Sequence, residues 1–273
     1  MDQFVEVPGG RLFTTSDGEG PPLVLIHAAI ADHRAWDSMV PGLVAAGYRT
    51  VRYDYRGFGE SVTGDVEFSN RADLVAVLDA LGIDRAALVG NSRGGLIAFD
   101  TAVEFPDRVV AAIGVGASLS GYDGSPTPQE TAIFERGAHI MAAAVPDLDA
   151  IADLSVSLWV DGPGQQSDRV DPAIRETVRA MCRPLGAPDR VTGRSIPLMP
   201  RAAERLGDLR CPVLAVAGEL DVSDVIQTAR HLETNAPDAR AVVWPDVAHM
   251  IGMEVPARLN ELIIDFLAPL RPW

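Results

Sequence analysis

The stretch Ala86-Ala87-Leu88-Val89-Gly90-Asn91-Ser92-Arg93-Gly94-Gly95 restricts the folds open to this chain more than any other. Ala86 to Val89 is a short apolar run bounded by turn residues, which predicts a buried strand rather than a helix. Gly-x-Ser-x-Gly-Gly follows at once, and Leu96-Ile97-Ala98-Phe99 then reads as helix. A serine caught between strand and helix sits on a sharp turn. Gly90 and Gly94 must lack a Cβ there so that the two backbones pass closely. Strained backbone of this kind costs about 1–3 kcal/mol and clusters at functional positions. Ser92 is therefore the first candidate for chemistry.

The surrounding chain alternates in a way that suits such a turn. Phe4–Val7 and Arg11–Thr15 flank Pro8-Gly9-Gly10 and predict an antiparallel hairpin. Further strands are expected at Leu23–Ile26, Thr50–Asp54, Val109–Val115, Val213–Ala217 and Ala241–Trp244. Continuously apolar strands are those covered on both faces, as in parallel sheets. Between them a helix carries Trp36, Met39, Leu43 and Val44 up to Gly47, and another spans Asn70 to Leu81. The second places Leu74, Val77, Leu78 and Leu81 at i, i+3, i+4 and i+7. Helices also follow Ser92 as far as Pro106, and run near Asp224–Leu232 and over Pro256–Leu267. Strand–helix alternation implies right-handed crossovers. The expected fold class is α/β, a mostly parallel twisted sheet with helices on both faces, built from 1–120 and 206–273. Gly121 to Pro128 is linker-like, and 121–205 is predicted to be an inserted helical lid with no strand signal. Phe134, Ile140, Met141, Leu158, Trp159 and Met181 are expected to form the lid core, with most of the nine arginines of that stretch facing solvent.

Composition removes several function classes. A chain of 273 residues can build one sizeable domain with an insertion. Its 23 basic and 38 acidic residues give a net charge of −15, which argues against nucleic acid or anionic membrane as a partner. Every basic residue is arginine; without lysine there is no Schiff base, no pyridoxal phosphate linkage and no Walker A loop. Cys182 and Cys211 are too few for a disulfide framework or a zinc site, and Cys211 reads as a small buried hydrophobe. The five histidines are scattered and no His-Glu-x-x-His occurs, so neither metal nor cofactor is expected. Met1–Glu6 lacks the marks of a signal peptide, and no apolar run reaches about eighteen residues. A cytoplasmic setting and a small-molecule substrate are the resulting expectations.

Ligands of open parallel sheets collect at the carboxyl ends of the strands. Beyond Val213–Ala217 stands Gly218-Glu219-Leu220-Asp221, and beyond Val242–Trp244 stands Pro245-Asp246-Val247-Ala248-His249. A serine, an acid and a histidine thus each follow their own strand. The hydroxyl is a poor nucleophile until a base takes its proton. Imidazole, with an ordinary pKa of about 6.5, can take that proton and return it to a leaving group. A carboxylate fixes the tautomer and stabilises the imidazolium. Ser92, Asp221 and His249 are assigned these catalytic roles, with Glu219 as the alternative acid and Asp246 as a turn cap. His27 lies one strand too early and is expected to hydrogen-bond behind the site. His33, His139 and His231 fall on helices and are expected to be exposed. The oxyanion needs two donors, assigned to the backbone N–H groups of Arg93 and Ala29. No role is required of the Arg93 side chain.

These residues together resemble the α/β-hydrolase superfamily over essentially the whole chain. Asp54-Tyr55-Arg56-Gly57-Phe58-Gly59-Glu60-Ser61 resembles its Asp-x-Arg-Gly-x-Gly-x-Ser loop. Ala248-His249 through Glu254-Val255-Pro256 is similar to the Ala-His-x-x-x-x-Glu-x-Pro of enol-lactonases and related esterases. Relatives usually carry His-Gly where this chain has His27-Ala28, and the extra Cβ restricts the oxyanion loop. Haloalkane dehalogenases and epoxide hydrolases look alike but place Asp at the position of Ser92. Carbon–carbon bond hydrolases of aromatic ring cleavage resemble Gly-Asn-Ser-x-Gly-Gly, yet usually carry an aromatic where this chain has Met250. The resemblance implies a serine hydrolase of a carboxylic ester or lactone with an acyl-enzyme on Ser92. A carbon–carbon bond hydrolase, a cofactor-free perhydrolase or haloperoxidase, and a protein that binds a hydrophobic signal are the alternatives.

Overall fold

Strands whose side chains are apolar on both faces need a layer of helices on each side, and this requirement shapes the molecule. The computed structural model describes residues 1–143, 145–187, 190–271 and 273. The opening hairpin joins β1 (Asp2–Val7) to β2 (Gly10–Asp17), with Phe4 opposite Phe13. Then come β3 (Pro22–Ile26), β4 (Arg49–Tyr53), and the two-residue strands β5 (Val62–Thr63) and β6 (Glu67–Phe68). The remaining strands are β7 (Ala86–Asn91), β8 (Val109–Val115), β9 (Arg194–Ser195), β10 (Val213–Gly218) and β11 (Ala239–Trp244).

The main sheet runs β1-β2-β4-β3-β7-β8-β10-β11, with β5 added to β2. Along the sheet from β4 to β11 every neighbouring pair is parallel, and β2 pairs antiparallel with both β1 and β4. The helices are α1 (Val40–Ala45), α2 (Asn70–Ala80), α3 (Arg93–Glu104), α4 (Pro128–Met141), α5 (Leu148–Val156), α6 (Pro172–Cys182), α7 (Ser223–Asn235), α8 (Ile251–Glu254) and α9 (Pro256–Leu267). Alternate strand residues feed two cores. Val24, Ile26, Leu88 and Ala215 pack with Leu78 of α2, Phe99 of α3 and Leu232 of α7. Leu23, Leu25, Val89 and Leu214 pack on the opposite face with Leu43 of α1 and Ile263 of α9. Among the described residues no helix is long and apolar enough to cross a membrane.

Two expectations need correction, and a third has exceptions. The helix expected to run from Trp36 to Gly47 is split into a 3-10 turn, His33–Trp36, and α1. Pro41 lies in the first turn of α1, the place where its missing N–H costs nothing. The stretch 121–205 does contain a strand, since β9 pairs in parallel with β6. Two residues carry no periodicity, so no sequence pattern announces it. The arginines of that stretch are not all solvated struts. Arg169 donates to the carbonyls of Val160, Asp161 and Asp246 and to Glu254, and Arg190 donates to the Gly57 and Leu185 carbonyls.

Between β8 and β10 the described residues also form α4, α5 and α6, several single 3-10 turns and irregular connections. α5 continues into one π-helical turn, Ser157–Asp161, which carries Trp159. Leu158 and Met181 are buried as expected, whereas Phe134 and Met141 are 40% and 49% exposed. Val156, Val160, Val178 and Met181 from this segment form one apolar cluster with Ala28, Ala31, Ala35 and Met250 of the main body.

Candidate active site

The serine turn forms because the close backbone approach is available only to glycine. A Cβ on Gly90 would lie 2.1 Å from the Gly94 carbonyl carbon, and one on Gly94 would lie 2.2 Å from the Ile26 carbonyl oxygen. The packing holds Ser92 at φ 56° and ψ −119°, a positive φ that L-residues rarely adopt. Its N–H donates to the Val115 carbonyl at 2.9 Å, and α3 begins at the next residue. The hydroxyl therefore projects from the carboxyl end of β7, half-buried, at the foot of a cavity.

Asp221 and His249 meet because β10 and β11 are paired neighbours, with Gly218 opposite Trp244. Their two exit loops are laced together by Glu219 N–H to the Trp244 carbonyl at 2.8 Å and Leu220 N–H to the Val247 carbonyl at 3.0 Å. His249 Nδ1 lies 2.8 Å from Asp221 Oδ2, and the Val222 N–H donates to the other carboxylate oxygen at 2.7 Å. Both side chains are buried. Since the carboxylate accepts, a neutral His249 carries its proton on Nδ1 and turns a lone pair outward on Nε2. Glu219, the alternative acid, is exposed. Asp246 occupies a positive-φ turn and is also exposed.

Ser92 and His249 line one cavity of about 220 Å³ together with Ser118, Trp159, Val222 and Val225. Among the described hydrogen bonds none joins the Ser92 hydroxyl to His249. Such bonds commonly tighten only when substrate is bound. A larger cavity of about 470 Å³ opens beside Asp32, Ser61 and Arg190, but neither Ser92 nor His249 touches it. Size alone does not locate chemistry.

Arg93 is the first residue of α3, where backbone N–H groups have no partner within the helix. Ala29 sits half-buried in the turn after β3, and β3 pairs with β7 up to Ile26 opposite Gly90. Neither N–H has an acceptor among the described residues. Ala28 adopts no positive φ, and its methyl packs in the apolar cluster under α5 and α6. The Cβ at this position therefore imposes no left-handed strain on the loop.

His27 is fully buried, stacked on Tyr55 at 4.1 Å, and its Nδ1 bonds the Ala28 carbonyl at 2.8 Å. Burial lowers its pKa, against the attraction of Asp54. His33 is not exposed as expected: its Nδ1 and its N–H both bond the buried Asp54 carboxylate. Burial opposes charge on His33, but the hydrogen bond and charge of Asp54 outweigh it, so its pKa is raised. His231 is half-buried against Tyr122 rather than free in solvent, while His139 is exposed. The Arg93 guanidinium is exposed and lies 5.7 Å from the Tyr55 ring. Asp32, His33 and Asp54 bring potential metal-ligating atoms within 4.8 Å of one another. Their lone pairs are already engaged, Asp32 by Arg34 and Asp54 by His33 and the Glu60 N–H.

Several residues of the site carried no functional assignment from the sequence. Asn91 donates to the carbonyls of Val115 at 2.8 Å and His249 at 3.2 Å, pinning the histidine backbone to the serine turn. Trp159 lies 4.5 Å from the His249 ring and so faces the cavity instead of a lid core. Phe134 lines the same cavity. Glu254 accepts the Ala248 N–H at 3.0 Å and also pairs with Arg169, joining the histidine loop to the helical segment beside Trp159.

A sequence model of the alpha/beta hydrolase fold matches residues 21–142, the part that contains β3, the serine turn and α3. The chain has the α/β-hydrolase fold. Similar α/β-hydrolases include 2-hydroxy-6-oxo-6-phenylhexa-2,4-dienoate hydrolase of Burkholderia cepacia, 28% identical, with 94% of this chain and 91% of that one aligned. Epoxide hydrolase B of Mycobacterium tuberculosis is 25% identical over 100% of this chain and 99% of its own. Among solved structures, Est816, described as an N-acyl homoserine lactone degrading enzyme, superposes with a TM-score of 0.76 at 28% identity, covering 97% of this chain and 100% of that one. The α/β-hydrolase relatives thus span several bond types, and the distinction between them has to come from this site.

Proposed function

We propose that the protein is a serine hydrolase of carboxylic esters or lactones that works through an acyl-enzyme on Ser92. The observation that carries the reading is a serine in strained positive-φ backbone sharing one cavity with a histidine whose far nitrogen is bonded to a buried aspartate. In this reading His249 Nε2 takes the hydroxyl proton as Ser92 Oγ bonds to the carbonyl carbon. The oxyanion accepts the N–H groups of Ala29 and Arg93, each such donor being worth roughly 2.7–4 kcal/mol in the transition state. Collapse expels the alkoxide, which leaves with the proton held on His249. Water then repeats the sequence on the acyl-enzyme and frees the acid. Asp221 keeps the imidazole in the tautomer that accepts at Nε2 and offsets its transient charge. The helical segment 121–205 is assigned the role of lid, with Trp159 closing over the imidazole.

The test is hydrolysis of p-nitrophenyl acetate or butyrate. A burst followed by turnover is expected, together with labelling of Ser92 by a fluorophosphonate, and Ser92→Ala should abolish all three. Full activity in that variant would end the proposal.

A second reading, hydrolysis of a carbon–carbon bond in a vinylogous diketone, is favoured by the Burkholderia cepacia relative and by Gly90-Asn91-Ser92. Consumption of a coloured ring-cleavage product while simple esters are ignored would select it.

A further inference from the structure

The walls of the Ser92 cavity carry charge of a single sign. Asp123, on the segment after β8, and Asp224, in the first turn of α7, both line it, and among the described residues no arginine does. Glu130 lies buried behind them, accepting from the Ser223 hydroxyl and N–H and from the Thr127 N–H. Among the described residues none of these three carboxylates makes an ion pair, although the chain has 23 arginines to supply one. Among the described residues the single polar partner of the Asp224 carboxylate is the Gly124 N–H at 2.5 Å. Burial raises the Asp224 pKa against that hydrogen bond, and the charges of Asp123, Asp221 and Glu130 push in the same direction as burial. A group that relieved this mutual repulsion would have to be positive.

The rest of the wall suits a positive group too. Trp159 and Phe134 line the same cavity, with ring centroids 6.4 Å apart and planes tilted by 36°. The face of an indole or phenyl ring attracts a cation, and aromatic walls combined with carboxylates are the usual means of holding ammonium groups. A neutral acyl chain would gain from the rings but nothing from the carboxylates. An anionic substrate such as a dienoate would meet repulsion from both.

We propose that this cavity selects substrates bearing an ammonium group, seated between the Phe134–Trp159 wall and the carboxylates of Asp123 and Asp224. The inference rests on the reading of Ser92 as nucleophile and names the substrate class for it.

The test compares tetramethylammonium chloride with tert-butanol, its neutral isostere, as inhibitors of p-nitrophenyl acetate hydrolysis at ionic strength fixed with sodium chloride. Competitive inhibition at least about tenfold stronger for the cation is expected. That advantage should fall to about one in the Asp123→Asn/Asp224→Asn double variant. Equal inhibition by the two probes, or an advantage that survives in the double variant, would overturn the proposal. If the double variant does not fold, Asp123→Asn, an exposed substitution, carries the comparison and should lower the ratio. Failure of the hydrolase reading would show separately, as no p-nitrophenol release. Binding of tetramethylammonium is then read from saturation transfer to its methyl resonance, lost on Asp123→Asn if the inference holds and unchanged if it fails.

Discussion

Ser92 and Asn91 illustrate how much one residue position can decide. The glycines around Ser92 made its turn legible, because only a close backbone approach requires that pattern. Asn91 left a fainter mark, a polar side chain at the end of a strand that is buried throughout. Buried amides need partners, and that rule alone points to a bonding role without naming the acceptor. The acceptor turns out to be the backbone of the very histidine proposed as base. Asn91→Ala is expected to leave the His249 carbonyl short of one donor, at about 1–1.5 kcal/mol. A loss of roughly tenfold in kcat/KM with KM little changed would follow. A fall in Tm without that kinetic loss would count against a positioning role. Trp159 left no usable mark, since an aromatic at helical spacing reads equally well as core, and only the π-helical turn directs it over the imidazole.

The strands and long helices were readable because burial on two faces leaves continuous apolar runs and a 3.6-residue stripe. What escaped was whatever depends on partners distant in sequence. β9 exists because β6 offers an edge, and neither has enough residues to show a period. The arginines between β8 and β10 resembled an ordinary solvated face. Arg169 instead ties Val160 and Asp161 to the Asp246 carbonyl, on the same loop as His249, and to Glu254 at the end of α8. With side-chain exposures of 16% and 12%, the Arg169–Glu254 pair is largely withdrawn from water. Arg169→Ala should cost about 2–4 kcal/mol, since it leaves a partly buried carboxylate without its cation and removes one donor from each of three carbonyls. Urea unfolding measures this directly. Arg169→Lys should restore only part, because one ammonium cannot match the planar fork.

The whole molecule answers to pH through a few buried groups. His33, whose pKa is raised on folding, contributes stability that is complete below the unfolded value and disappears as pH rises through the folded one. His27 acts with the opposite sign: its lowered pKa means that stability is lost as pH falls through the unfolded value. His33→Asn should therefore lower Tm more at about pH 5.5 than at about pH 8.5, on either side of the imidazole range. An equal loss at both would contradict the His33–Asp54 pairing. At high pH a different property takes over. With no lysine, every side-chain ion pair to a carboxylate rests on guanidinium or imidazole, and guanidinium keeps its charge beyond about pH 12. Burial raises the pKa of Tyr53 and Tyr55 and pushes the Cys211 thiol up to about 11. Tm should accordingly stay nearly flat between about pH 8 and pH 10, a range in which lysine-paired proteins begin to lose charge. A steep fall there would show that some other group governs alkaline unfolding.

The methyl of Ala28 sits in the same apolar cluster as Val156, Val160, Val178 and Met181, one residue before the Ala29 amide. Cover and floor are thus sealed by a shared grease joint. Lifting the helices to admit a bulky guest would strip water-excluding contacts from the strand-exit loop as well. Under the proposed function, reactivity and access would then be set against each other by a single methyl group.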